Sequence, residues 1–293
     1  MRVLIIGCGY IGFPLATELV RQGHEVTGVG RHATARPELA EAGIRPLDAD
    51  VTQPETLSKI GGPFDWVVNC VSSSQGGLDD YRNVYLDGTR NLISWLTTQP
   101  PAKFLYTSST GVYGQDNGSV VKEDHPTEPA TETAQVLAAT EQLLLSAARE
   151  RKFPAIILRV AGIYGPARTF QLSQFLENRA RVEGRGERHL NMIHRDDVVG
   201  SIIAALRNGR PGEVYNAVDD EPVQQVHFLR WLSETLGKWM PPAATPEELA
   251  DLAKRKRGVT NKKVSNRRLK MELGYQLKFP TFRQGYTAEI RRL

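Results

Sequence analysis

The first dozen residues constrain this chain more than any other stretch. Val3-Leu4-Ile5-Ile6 is a continuous apolar run of strand length. Gly7-Cys8-Gly9-Tyr10-Ile11-Gly12 follows at once with the spacing G-x-G-x-x-G. A helical pattern then runs from Phe13 to Arg21, with Leu15, Leu19 and Val20 on one face, and Gly23 stands where a helix end favours glycine. In this order each glycine has a physical task. Gly7 permits the tight turn, Gly9 removes a side chain where backbone meets a diphosphate, and Gly12 allows close helix–strand packing. Tyr10 and Ile11 belong to the same turn, and the helix N-terminus offers free N–H groups and a positive dipole end to an anion. The prediction is the opening unit of a dinucleotide-binding sheet; a plain glycine-rich turn is the alternative.

Strand and helix signals keep alternating through the first half. Strands are expected at Glu25 to Val29, Ile44 to Leu47, Trp66 to Val71, Lys103 to Thr107 and Ala155 to Val160. Helices are expected from Pro37, from Pro54, from about Asp80 to Thr98 before Pro100 and Pro101, and from Thr133 to Arg151. Short buried strands separated by helices predict an α/β Rossmann fold, a doubly wound parallel sheet. Such sheets hold ligands beyond the carboxyl ends of their strands. That directs attention to Val71 and Ser72 after the fourth strand, to Ser108 after the fifth, and to the segment after Val160. Farther on, helices are expected at Arg195 to Leu206 and Val223 to Leu236, with a strand at Glu213 to Val218.

The turn after the second strand reads Gly28-Val29-Gly30-Arg31-His32. A site for NAD carries Asp or Glu about here, on the ribose 2′-hydroxyl. Arg31 instead suits a 2′-phosphate through its planar fork of donors. The expected cofactor is therefore NADP, with NAD as the alternative. Asp50 and Val51, after the third strand, are placed to meet the adenine, although Asp50 equally suits a turn or helix-cap role.

Composition narrows the class. Of 293 residues, 40% are hydrophobic and 24% charged, which supports a large folded core. The two cysteines, Cys8 and Cys70, read as reduced thiols of a cytoplasmic protein, buried as small fillers or serving as a redox sensor. No run approaches the roughly 20 apolar residues of a membrane span. No His/Cys spacing suggests a metal site.

Further motifs bear on family. They are Asp87-Gly88-Thr89-Arg90-Asn91-Leu92, Thr107-Ser108-Ser109-Thr110-Gly111-Val112-Tyr113-Gly114, and Leu158-Arg159-Val160-Ala161-Gly162-Ile163-Tyr164-Gly165-Pro166. Ile193-His194-Arg195-Asp196-Asp197 and Asn261-Lys262-Lys263-Val264-Ser265-Asn266 follow. With the glycine motif, their order resembles the extended short-chain dehydrogenase/reductases, the group of nucleotide-sugar epimerases and dehydratases, and more closely an atypical bacterial branch. The resemblance implies an oxidoreductase or epimerase with a small-molecule, nucleotide-linked substrate, and a homodimer joined through two long helices. It also implies catalysis by Ser or Thr, Tyr and Lys.

Ser109, four residues before Tyr113, matches the family serine. The Tyr-x-x-x-Lys pair has no counterpart: aligning Glu141 puts Thr133 and Leu137 in those places, and residues 131–145 contain neither Tyr nor Lys. Leu137 cannot favour a phenolate, and Thr133 is no acid or base near neutral pH. Tyr113 and Tyr164 are the expected substitutes at the sheet rim, each with packing as its alternative role. A non-catalytic NADP-binding sensor or regulatory module is the second functional expectation. His194 and Asp197 are expected to cap and pack.

Nine Lys and Arg and no acid occupy Lys254 to Lys270, which leaves the remainder of this +4 chain slightly acidic. A solvated face is the simple expectation. The resemblance implies a clamp for substrate phosphates, with Arg168, Arg267 and Arg268 as candidates. Nucleic acid is disfavoured because no stacking series of aromatics accompanies the charges. The expected division is residues 1–165 with 192–220 as the nucleotide-binding unit, and 166–191 with 221–293 as a smaller substrate unit.

Overall fold

The computed structural model describes residues 1–253 and 260–293. The chain opens with β1 (Arg2–Ile6), α1 (Gly12–Arg21), β2 (Glu25–Gly30), α2 (Pro37–Glu41), β3 (Arg45–Asp48), α3 (Pro54–Leu57) and β4 (Trp66–Asn69). Proline starts both α2 and α3, where its missing N–H costs nothing.

After β4 the expected helix forms as one continuous run with a π-helical stretch inside it. α4 (Leu78–Tyr81) leads into a π-helical turn over Arg82–Asp87 and then α5 (Gly88–Leu96). Gly88 lies so close to β3's following loop that a Cβ would stand 2.7 Å from Val51. Asn91 ties the same helix to the Val51 carbonyl at 2.9 Å. The wider turn brings the rings of Tyr81 and Tyr85 to 5.0 Å.

Next come β5 (Lys103–Ser109), a 3-10 turn at Thr110–Val112, β6 (Ser119–Val121), α6 (Glu132–Arg151) and β7 (Ala155–Val160). α6 starts where the Thr131 hydroxyl accepts from the Ala134 N–H, and it ends at Lys152 in the left-handed region. Shorter elements follow: β8 (Gly162–Tyr164), α7 (Phe170–Leu176), β9 (His189–Leu190) and β10 (Met192–His194). The chain closes through α8 (Arg195–Asn208), β11 (Val214–Ala217), β12 (Val223–Gln224), α9 (Gln225–Leu236), α10 (Pro246–Ala253), β13 (Lys262–Val264), α11 (Arg267–Met271) and α12 (Phe282–Ile290).

Seven strands form a parallel sheet in the order β11-β7-β5-β4-β1-β2-β3. Chain order reverses beside β1, the topological switch point at which doubly wound sheets bind ligands. Alternate strand residues serve opposite faces. Val3, Ile5, Val68, Leu105 and Leu158 pack with Leu15 and Leu19 of α1 and Ile202 of α8. Leu4, Ile6, Val67, Phe104 and Ile157 pack with Leu92 of α5 and Leu144 of α6.

A third core gathers Tyr164, Leu172, Phe175, Met192, Val223, Phe228, Phe282 and Tyr286. Leu172, Phe175, Val223, Phe228, Phe282 and Tyr286 come from the segments expected to form the smaller unit, whereas Tyr164 and Met192 come from those expected in the nucleotide-binding unit. Val264, Leu269 and Leu273, also expected in the smaller unit, sit in the first core instead. The cause is that β13 pairs with β6 and α11 lies against β11.

Candidate functional site

A cleft of about 900 Å³ runs along the carboxyl ends of the strands. At its centre is the turn between β1 and α1, where the three glycines do different work. Gly7 has φ +94°, and a Cβ there would lie 2.8 Å from the Cys70 backbone. At Gly12 a Cβ would stand 2.1 Å from the Gly7 carbonyl oxygen. The fold itself therefore requires both. At Gly9 a Cβ would meet no protein atom within 4 Å, and its space opens into the cleft. The N–H groups of Tyr10 and Ile11 have no acceptor among the described residues, while those of Gly7, Cys8, Gly9 and Phe13 do. Two free donors beside a bare backbone at a helix N-terminus fit a diphosphate.

At the β2 and β3 end the cleft is lined by Arg31, His32, Arg36, Asp50 and Val51. Arg31 donates to Ser74 at 3.2 Å, and Arg36 to Glu38 at 2.8 Å and to the Cys8 carbonyl. The Asp50 carboxylate accepts from the Thr52 N–H and hydroxyl, so it shapes the turn. Val71, Ser72 and the glycine-bearing loop up to Asp80 form one wall. Asp80 accepts from Ser73 and from the N–H groups of Gln75 and Gly76 at 3.1 Å. The Ser73 hydroxyl leads in holding its carboxyl below the usual carboxylate range.

At the far end Ser108 and Ser109 close β5. Ser109 lines the cleft, and its Oγ accepts from the Gly111 N–H at 3.0 Å, which leaves the hydroxyl proton free to donate outward. Ser108 donates to Glu141 at 2.5 Å. Behind it Glu141 meets Arg159 through contacts of 2.7, 3.1 and 3.1 Å. Burial opposes the Arg159 charge, yet Glu141 holds the guanidinium above the ordinary arginine range. α6 presents Thr133, Ala134 and Leu137 to the cleft.

Several expected residues lie elsewhere. Tyr113 is fully buried; its hydroxyl donates to Asn216 at 2.9 Å and accepts from Arg159 at 2.7 Å. The 3-10 turn after β5 rotates it under the sheet rim, away from the cleft. Tyr164 is also buried, in the third core, with its ring stacked on Tyr286 at 4.3 Å. Burial pushes its phenol far up, and its oxygen fills the space beside Gly285. Neither is a cleft acid.

Arg268 pairs with Glu213 and Glu272 and donates to the Val214 carbonyl. That is the amino end of β11, opposite the rim, so Arg268 is a structural cation. Arg267 is exposed on the same short helix and does not line the cleft. Lys254 to Arg257 lie outside the described residues. Arg168 does line the cleft, 5.3 Å from the centre of the Tyr10 ring.

His194 caps α8 by accepting from the Asp196 N–H at 3.1 Å. Asp197 receives Tyr275, Lys278 and Phe279. Burial pushes the Cys8 thiol up to about 11 and Cys70 higher still, against a reactive thiolate.

The sequence reading missed Arg36 and the two phenols Tyr81 and Tyr85, which line the cleft and pack against the core that holds Leu137. Tyr85 accepts from the Ser73 N–H at 3.1 Å. The one local signal was the Tyr-x-x-x-Tyr spacing ahead of Gly88.

Comparisons with known proteins agree with this geometry. The profile of the NAD dependent epimerase/dehydratase family matches residues 3–217. Protein YeeZ of Escherichia coli K12 is 27% identical over 288 residues, covering 95% of this chain and 96% of that protein. A Methylobacillus flagellatus structure, described provisionally as an NAD-dependent epimerase/dehydratase, is 33% identical with TM-score 0.79, covering 99% and 98% of the two chains. A UDP-glucuronic acid 4-epimerase from Bacillus cereus, in complex with UDP-glucuronic acid and NAD, shares the fold at 20% identity and TM-score 0.79, covering 99% and 98%. Among the described residues, no helix is long and apolar enough to cross a membrane.

Proposed function

The chain belongs to the NAD-dependent epimerase/dehydratase family, and from that premise we propose that it binds NADP and acts as an oxidoreductase or epimerase on a sugar nucleotide or a similar carbonyl or hydroxyl substrate. The observation that carries the cofactor is the Gly9 turn, with its bare backbone and the unengaged N–H groups of Tyr10 and Ile11. Arg31, with Arg36 also lining the cleft, favours NADP, because no cleft carboxylate stands at the end of β2 to take a ribose 2′-hydroxyl. The relative from Bacillus cereus, solved with a sugar nucleotide and NAD, supports the substrate class.

A bound nicotinamide would exchange hydride with the substrate carbon. The chain's part is to hold and orient. Ser109 donates its free proton to the substrate oxygen. The α6 residues that line the cleft, Thr133, Ala134 and Leu137, include no acid or base, so the proton must move elsewhere; the cleft phenols are Tyr81 and Tyr85, on the helical segment that lies against α6. Arg267 and Arg268 have no part in this reading. A homodimer belongs to it, and sedimentation would show one.

The bare α6 face also favours a second reading, a non-catalytic NADP-binding module that reports cofactor state to a partner. Titration with NADPH and NADH, followed by hydride consumption against UDP- and dTDP-sugars and simple ketones, separates the two. The enzyme reading expects tighter NADPH than NADH, turnover with one of these classes, and loss of that turnover in Ser109→Ala. NADH bound as tightly as NADPH refutes the cofactor preference. Tight binding without hydride transfer across the panel favours the module.

A further inference from the structure

The turn that joins β8 to α7 is built with unusual constraint. Gly165 and Arg168 exchange backbone hydrogen bonds, Arg168 N–H to the Gly165 carbonyl at 2.9 Å and Gly165 N–H back at 3.2 Å. Ala167 between them is left-handed, with φ 59°, a conformation that costs an alanine about 1 kcal/mol. Gly165 is pressed against its surroundings: a Cβ there would lie 3.2 Å from the Tyr10 hydroxyl, 3.2 Å from His194 and 3.1 Å from Arg195. The turn is thereby docked onto Tyr10, and Arg168 is aimed at a fixed place.

That place is distinctive. The Arg168 guanidinium stands 5.3 Å from the centre of the Tyr10 ring and lines the cleft. Arg195 stands 5.6 Å from the same ring, but it is paired with Asp196 at 2.9 Å and does not line the cleft. Of the cleft arginines, Arg31 is bonded to Ser74 and Arg36 to Glu38. The Arg168 guanidinium has no hydrogen-bond or ion-pair partner among the described residues. An unpaired cation therefore sits over the residue whose own N–H awaits an anion.

Resting on the dinucleotide reading, we propose that Arg168 clamps the cofactor diphosphate, closing over it opposite the N–H groups of Tyr10 and Ile11. The sheet order gives the reason for choosing the cofactor over the substrate. Arg31 and Asp50 mark one end of the cleft at β2 and β3, Ser109 and Leu137 the other at β5 and α6, and Tyr10 lies between them at β1. The middle of a dinucleotide is its diphosphate. An Arg fork matches phosphate oxygens bidentately, which a lysine cannot do.

The test is equilibrium binding to the full chain, wild type against Arg168→Ala and Arg168→Lys. The ligands are NADPH, followed by its fluorescence, and 2′-AMP, which carries the adenine-side phosphate but no diphosphate, followed by calorimetry. Losing a charge-assisted phosphate contact weakens binding about 10- to 100-fold. That loss is expected for NADPH with Arg168→Ala, with a smaller loss for Arg168→Lys and no change for 2′-AMP. Arg168 is exposed in a surface turn, so the thermal midpoint should hold. NADPH binding within twofold of wild type in Arg168→Ala overturns the clamp, and so does an equal loss for both ligands. A wild type that takes up neither NADPH nor NADH overturns the dinucleotide reading beneath it, a different outcome from the same titration.

Discussion

Glu141→Gln is a sharp perturbation of the cleft floor. Both Glu141 oxygens face donors: one receives Ser108 Oγ and Arg159 Nε, the other Arg159 Nε and Nη2. A glutamine amide must therefore turn its NH2 toward a donor whichever way it is placed. The Arg159 guanidinium, 5% exposed, is left charged and without its counter-ion. Removing one partner of a buried pair costs about 3–5 kcal/mol. For a chain of this size that lowers the thermal midpoint by roughly 5–8 °C. Urea unfolding followed by tryptophan fluorescence reads the same quantity as a shift in midpoint at unchanged slope. The double variant Glu141→Leu with Arg159→Met removes both charges, and it should lose less than the sum of the single changes. A Glu141→Gln loss below about 1 kcal/mol, the level of an exposed pair, would refute the claim that this pair is held dry.

Glycine placement and a buried lysine lead to two further outcomes. Gly9→Ala should keep the thermal midpoint within a few degrees and lose NADPH binding, whereas Gly12→Ala should destabilise the fold itself, because its Cβ meets the Gly7 carbonyl at 2.1 Å; thermal melts with parallel titrations distinguish them, and equal destabilisation by both would contradict the division of labour. Burial pushes the Lys262 amine down to about 8 from 10.5, so the unfolded chain binds the extra proton between those pH values and wild-type stability gains about 3 kcal/mol across that window from this group. Buried thiols and phenols titrate in the opposite sense, so the readout is the difference between wild type and Lys262→Met, which should grow in favour of wild type from pH 8 to 10.5; a flat difference counts against a desolvated amine.

How much of this was legible in the sequence depended on how local the cause was. The β1 turn declares itself because glycine spacing, strand and helix lie within about twenty residues. The parallel sheet followed from apolar runs and proline starts. Tyr113 and Tyr164 misled for the opposite reason. Both are near the rim in sequence, but Tyr113 is held by Arg159 and Asn216, and Tyr164 by Tyr286, partners remote along the chain. Nothing beside Tyr113 in sequence announces them. Arg268 is the same case, neutralised by Glu213 fifty-five residues earlier. Arg36 escaped notice because its place in the cleft depends on reaching back to the Cys8 carbonyl. The π-helical turn hides in an ordinary helical pattern, since one widened turn leaves the apolar spacing nearly intact.

The threading of the chain between cores has a consequence for how such proteins diversify. Tyr164 belongs to the third core, Ile193 to the first, Val223 to the third, Val264 to the first and Phe282 to the third. No single recombination breakpoint could lift the third core out and graft it onto a relative. A chimera would need five matched junctions, near residues 162, 192, 220 and 280 and one between 236 and 264, and would fail if any one were misaligned. New substrate preferences in this architecture must accumulate as point changes and altered turn lengths, each tested against an intact chain, and are not acquired as a ready-made cassette.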